Sequence, residues 1–196
     1  MSDKNREVKV GEKIRELRED LALTLDELAA RTGISAAMIS QIENHMISPP
    51  LGTLIKIARG LETDTGHFFR PAGGESQAYS LVRHDERKRV SRVASTEGID
   101  YGYEYESLGY DLADRKMEPF FITLKPSPFE DKGLSIHDGE EFIYVLEGEM
   151  EVILGGHRDV LGPGDSIYYK SATPHRVGAH GSKETRIIAV LITSEE

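Results

Sequence analysis

The sequence predicts a multidomain chain of α and β type, an all-α domain followed by an all-β domain. Three observations carry this. Apolar residues recur with a period near 3.6 over residues 8–70 and near 2 over residues 79–193. The change falls across PAGGESQA, where Pro, paired Gly, Ser and Gln replace large apolar side chains. Finally, 196 residues are enough for two small domains, each with its own core. The predicted boundaries are a helical domain at 1–70, a linker at 71–78 and a β domain at 79–196.

Charge and composition narrow the classes. The net charge is −10, but residues 1–70 carry 10 basic against 11 acidic side chains, leaving 14 against 23 for the remainder. The acid excess therefore lies in the β half, and a near-neutral helical half can still meet DNA if its basic groups share a face. The absence of cysteine excludes disulfides, thiolate metal sites and cysteine nucleophiles. No apolar run is long enough to cross a bilayer, and MSDKNREVKV has neither an apolar h-region nor a small-residue cleavage site. The expectation is a cytoplasmic chain with no membrane partner.

In the helical half, Val10, Ile14, Leu17 and Leu21 form one stripe, with Lys13, Arg15 and Arg18 outside it. Thr24 and Glu27 have capping-box spacing at the start of a second helix, and Gly33 ends it. Ser35 is placed to cap a third helix that buries Ile39 and Ile42 and turns Ala36, Ala37, Ser40, Gln41 and Asn44 outward. Small side chains permit close approach to a major groove, and Ser, Gln and Asn can bond base edges or phosphates. After SPP, the residues Leu51, Leu54, Ile55, Ala58 and Leu61 form a fourth stripe.

LTLDELAARTGISAAMISQIENHMISPPLGTLIKIARGL resembles the lambda-repressor-like (Xre-type) helix-turn-helix family in the ELA, GIS, IS-QIE and SPP-L-TL-KIA-GL stretches. Leu25 departs from the Gln that many relatives carry after the opening Thr. The resemblance implies a five-helix domain that binds double-stranded DNA. The contacts fall to Arg31, Ser35, Ala36, Ala37, Ser40, Gln41 and Asn44.

In the β half, EFIYVLEGEMEVI is rich in β-branched and aromatic residues, and Gly155-Gly156 supplies a hairpin turn. Many short strands ending in Gly or Pro suggest a small barrel or jelly roll. Tyr101, Tyr103 and Tyr105 alternate, so one strand would turn all three rings to one face as a pocket wall or as core packing. Arg115, Lys116 and Glu118 follow, and a cation there can hold an acidic ligand.

HDGEEFIYVLEG and LGPGDSIYYKSATPH resemble the two motifs of the cupin family. Matched residue by residue, the resemblance implies an all-β cupin (jelly-roll) barrel with His137, Glu141 and His175 as metal ligands and Gly148 as the motif glycine. Ser135 replaces the first histidine and joins Tyr103 and Tyr105 as the ligand pocket. Two imidazoles and a carboxylate suit a divalent metal, Fe, Mn, Ni or Zn. The other reading of the same polar groups is an organic ligand bound without metal.

The fused arrangement resembles the Xre-cupin regulators. It implies a sequence-specific transcription regulator whose barrel senses a small-molecule effector or metal, assembled as a homodimer or higher homo-oligomer to read paired half-sites. The alternative is a mononuclear Fe(II)-dependent cupin oxygenase or epoxidase with a helical accessory domain. The chain also resembles the cupin phosphonate epoxidases, but Ala22 stands where they present a lysine to the substrate. The sequence-level expectation is a regulator and not an enzyme.

Overall fold

The computed structural model describes residues 7–47, 49, 51–69, 78–90, 103–112, 115–126 and 133–192, with backbone alone at 7, 8 and 88–90. Pro71 to Gln77 of the predicted linker, and Tyr101, lie outside the described residues. The chain divides into two units, Met1–Asp100 with Gly109–Asp114, and Tyr101–Leu108 with Arg115–Glu196.

In the first unit, α1 (Val10–Asp20) buries Val10, Gly11 and Ile14. Leu21, the last residue of the predicted stripe, is exposed. A Cβ on Gly11 would lie 2.1 Å from the Ile42 carbonyl oxygen, so glycine is what lets α1 approach the following helices this closely. Helix α2 (Leu25–Thr32) starts at a complete capping box, with Glu27 N–H donating to Thr24 Oγ1 at 3.2 Å and Thr24 N–H donating to Glu27 Oε2 at 2.7 Å. It ends at Gly33 in the left-handed region, φ 68°. Ser35 caps α3 (Ala36–Glu43), accepting from Met38 N–H at 3.2 Å. Helix α4 (Leu51–Gly60) buries Leu54, Ile55, Ile57 and Ala58, a wider face than the predicted stripe.

The expectation of five helices is corrected to four α-helices among the described residues. The segment after α4 forms a four-residue 3-10 turn, Thr65–Phe68, capped by Asp64. Gly66 lowers its helical preference, and the segment closes the core with the fully buried Phe68 and Phe69. This unit also holds a short parallel pair, β1 (Glu7–Val8) with β2 (Lys88–Val90).

The second unit is built of antiparallel strands: β3 (Tyr103–Ser107), β4 (Met117–Leu124), β5 (Glu140–Glu147), β6 (Met150–Leu154), β7 (His157–Leu161), β8 (Ser166–Lys170), β9 (His175–Ala179) and β10 (Thr185–Ile192). Within this unit the larger sheet runs β3-β4-β10-β5-β8 and the smaller β7-β6-β9. Alternation sets the core: Phe120, Ile122 and Leu124 on β4, Ile143 and Val145 on β5, and Ile187, Ala189 and Leu191 on β10 are all buried. At the β5–β6 turn Gly148 has φ +80°, and a Cβ there would meet Glu184 O at 2.6 Å. Only glycine fits that approach.

The expected closed barrel is also corrected. Both sheets have ends, and among the described residues a single isolated bridge, Ser135 to His175, lies outside the named strands. The five-residue β7, exposed along most of its length, behaves as an edge and not as a closing strand. The β domain is two open sheets.

Candidate metal centre and nucleic-acid interface

Glu141 is the second residue of β5, opposite Tyr169 of β8 on one side and Leu191 of β10 on the other, so it points inward with the core. His137 sits in the loop before β5, latched where its N–H donates to Ser171 O at 3.2 Å and Ser171 N–H donates to Gly139 O at 2.9 Å. His175 opens β9 and is held by reciprocal backbone bonds with Ser135, 2.7 and 3.0 Å. Register and turns thus bring together three residues that the sequence separates.

The ligand atoms of His137, Glu141 and His175 lie within 4.8 Å of one another, and all three residues are buried. Both histidine Nε2 atoms face the same carboxylate oxygen, Glu141 Oε1, at 2.9 Å from His137 and 3.3 Å from His175. Their Nδ1 atoms lie 3.1 Å from Asp138 O and 2.9 Å from Thr173 O. A carbonyl only accepts, so each Nδ1 carries a proton, and each Nε2 turns toward Oε1 a lone pair in the neutral ring or a second proton in the charged one. Two lone pairs aimed at a carboxylate repel it unless protons or a cation lie between them. The donor set, its burial and the carbonyl partners behind the imidazoles fit a divalent metal, with backbone oxygens as the orienting outer groups.

Two residues that sequence reasoning passed over complete the centre. Tyr169 Oη donates to Glu141 Oε2 at 2.7 Å, and its ring lies 5.0 Å from that of His175. Ser171 Oγ lies 3.4 Å from Glu141 Oε1. The Tyr168-Tyr169 pair on β8 was a usable signal, since strand alternation must send one ring inward. Burial opposes ionisation of Glu141, but hydrogen bonds from His137 and His175 overcome it and lower the carboxyl to about 2. Burial works the other way on His175, yet Glu141 raises its imidazole above the ordinary value. Burial and the nearby carboxylate push the Tyr169 phenol well above 10.

Tyr103 and Tyr105 share the inner face of β3, stacked at 6.1 Å and 10°. Tyr103 donates to Val177 O, and burial pushes its phenol to about 12. Tyr105 is buried edge-on to Phe120 and Ser135 is half-buried. Arg115 pairs with Glu118, both side chains 5% exposed, and Glu118 lies on the same cross-sheet row as Leu191 and Glu141.

On α3, Ala37 and Asn44 are exposed while Ala36, Ser40 and Gln41 are half-buried. Four of the predicted DNA contacts, Arg31, Ser35, Ser40 and Asn44, are engaged within the unit. Ser35 Oγ caps α3, Arg31 donates to Gly60 O and Glu62, and Asn44 bonds Ser40 while accepting from Arg15 at 2.7 Å. Behind α3, Glu43 is 2% exposed and accepts from Arg18 at 2.7 and 2.8 Å, with Arg15 at 3.4 Å. An acid one residue after Ile42 on the apolar side of α3 was the sequence signal for this pair.

The family profiles that match are a helix-turn-helix profile over residues 14–68 and a cupin domain profile over residues 120–191. The chain is similar to a solved HTH_3 family transcriptional regulator from Vibrio cholerae, 29% identical, TM-score 0.64, over 96% of this chain and 97% of that one. It is 28% identical to (S)-2-hydroxypropylphosphonic acid epoxidase of Streptomyces wedmorensis over 92% of this chain and 93% of that protein. It is 24% identical to the HTH-type transcriptional regulator SutR of Escherichia coli (strain K12) over 88% and 87%. The expectation that the chain is not an enzyme is corrected by the buried centre, whose two-histidine-one-carboxylate set leaves coordination positions open for chemistry, together with the likeness to an epoxidase. The chain carries an N-terminal helix-turn-helix domain and a C-terminal cupin domain with a site able to hold a divalent metal.

Proposed function

We propose that the cupin domain is a mononuclear Fe(II)-dependent oxygenase of a small organic acid, joined to a domain that docks on DNA. The observation that carries this is the convergence of both Nε2 atoms on Glu141 Oε1 inside the core. His137, Glu141 and His175 would hold the ion, which supplies open coordination positions and oxidative chemistry when bound. Tyr169 fixes Glu141 by occupying Oε2 and leaves Oε1 to the centre. The apolar inner faces of β4, β5 and β10 exclude water around it. Tyr103, Tyr105 and Ser135 are the proposed substrate wall. An organic acid is favoured because the relative's name is that of a phosphonic acid epoxidase.

A second reading is favoured by α3. A capped helix that exposes Ala37 and Asn44, in a chain similar over nearly its whole length to a transcriptional regulator structure, supports sequence-specific DNA binding regulated by what the cupin site holds. Anaerobic Fe(II) titration followed by oxygen uptake with candidate acids tests the first reading, and uptake that depends on His137 and His175 is the expected result. A metal that binds without any oxygen consumption across a substrate panel removes it. Fluorescence polarisation with the chain's own upstream DNA tests the second. Binding that Gln41→Ala weakens is expected, and no specific binding at any salt concentration removes that reading.

A further inference from the structure

Helix α3 carries no basic residue, yet phosphate neutralisation supplies essentially all non-specific DNA affinity. Two arginines of α1 reach it. Arg18, 12% exposed, is committed to the buried Glu43 carboxylate by two hydrogen bonds, and the two charges cancel. Arg15, 39% exposed, lies farther from the same carboxylate, Nε to Oε2 at 3.4 Å, and its Nη2 donates to Asn44 Oδ1 at 2.7 Å. Two guanidinium groups thus share one carboxylate, and the charge left over stands on the exposed one. The acids one turn away on α1 are already engaged, Glu12 by Lys9 at 2.6 Å and Glu19 by Arg18 at 3.6 Å.

We propose that Arg15 is a phosphate-contacting residue of the DNA interface, supplied by α1 and held at the C-terminal end of α3 by Asn44 and Glu43. Its role rests on the docking of α3 on DNA, the second function proposed for the chain. Nε and one N–H of Nη2 are directed at α3, and the remaining N–H groups of Arg15 have no partner among the described residues. An edge of that planar group fits phosphate oxygens. A helix that reads bases with its N-terminal residues leaves the groove at its other end, where phosphates form the wall. Asn44 marks that end as the C-cap of α3. Both halves of its amide are engaged, Oδ1 by Arg15 and Nδ2 by Ser40 O at 2.8 Å, so Asn44 serves as the clamp and not as a base reader. Gln41, whose amide has no partner among the described residues, keeps its donors and acceptor for a base edge.

The salt dependence of DNA binding by the full chain separates a phosphate contact from a structural strut. Fluorescence polarisation is read between about 50 and 200 mM salt, with the chain's own upstream DNA and with an unrelated duplex of equal length. Arg15→Gln should weaken binding to both duplexes by the same factor and lower the slope of log affinity against log salt by about one per copy bound. Arg15→Lys, which keeps the charge, should keep the slope. A residue that only braces α3 would shift affinity equally at every salt concentration and leave the slope alone. An unchanged slope in Arg15→Gln, or a loss confined to the upstream sequence, overturns the assignment. Wild-type protein that still prefers its upstream sequence, and loses that preference in Gln41→Ala, shows in the same titrations that the DNA-binding function stands when the Arg15 contact does not. Wild-type protein that binds neither duplex removes both. Circular dichroism and the thermal midpoint confirm that each variant is folded.

Discussion

Tyr169 turns Glu141 from a freely rotating carboxylate into a directed ligand. Its hydroxyl occupies Oε2 at 2.7 Å, so Tyr169→Phe removes one hydrogen bond while conserving the ring that packs on His175. The expected result is a divalent-metal affinity about 10- to 100-fold weaker by titration calorimetry, with little change in the thermal midpoint of the metal-free protein. Unchanged affinity would show that the phenol only fills space. The raised His175 imidazole gives a pH dependence of opposite sign in the two forms of the site. Without metal, the His175–Glu141 pair contributes stability that is fully present below the ordinary imidazole value and is lost as pH rises through the raised one. The urea midpoint of metal-free protein should therefore fall on going from about pH 6 to about pH 8, whereas metal affinity should rise, because a ligating Nε2 must shed its proton. Glu141, lowered to about 2, keeps its charge throughout that window and loses its contribution only in strong acid.

At the scale of elements, α3 owes its position to α1. Arg18, 12% exposed, donates two hydrogen bonds to Glu43, 2% exposed, and a third to Leu23 O. Arg18→Ala leaves a buried carboxylate unpaired and should destabilise the helical unit by about 3–5 kcal/mol in urea titrations, whereas Arg18→Met with Glu43→Leu should recover most of that loss. A small effect of the single substitution would mean that Arg15, already 3.4 Å from Glu43, takes over. At the start of α2, Thr24→Ala removes half of the capping box and should cost about 1 kcal/mol. The cap was legible because Thr and Glu at this spacing act through local backbone geometry. Arg18 was not: its position outside the stripe looked exposed, and only the crossing of α1 against α3 buries it.

For the whole molecule, the two units invite separate melting transitions. Adding divalent metal at about 100 times its dissociation constant should stabilise the cupin unit by about 2.7 kcal/mol, and chelator should reverse this, while the helical unit's transition stays in place. Scanning calorimetry with and without chelator reads both, and a helical transition that moves with metal would reveal coupling between the units. What the sequence by itself determined is local: the capping boundaries at Thr24, Gly33 and Ser35 and the two-residue period of the β half follow from short-range propensity, and the identities of His137, Glu141 and His175 from the resemblance to the two cupin motifs. What only the tertiary structure decided depends on which surfaces meet. Those outcomes are a 3-10 turn in place of a fifth helix, two open sheets in place of a closed barrel, the inward choice of Tyr169 over Tyr168, and both histidine Nε2 atoms converging on one carboxylate oxygen. The physical reason is that strand pairing and burial are non-local. A residue's period shows which neighbours share its face, but the partner that covers that face is chosen by the packing of segments far apart in the chain.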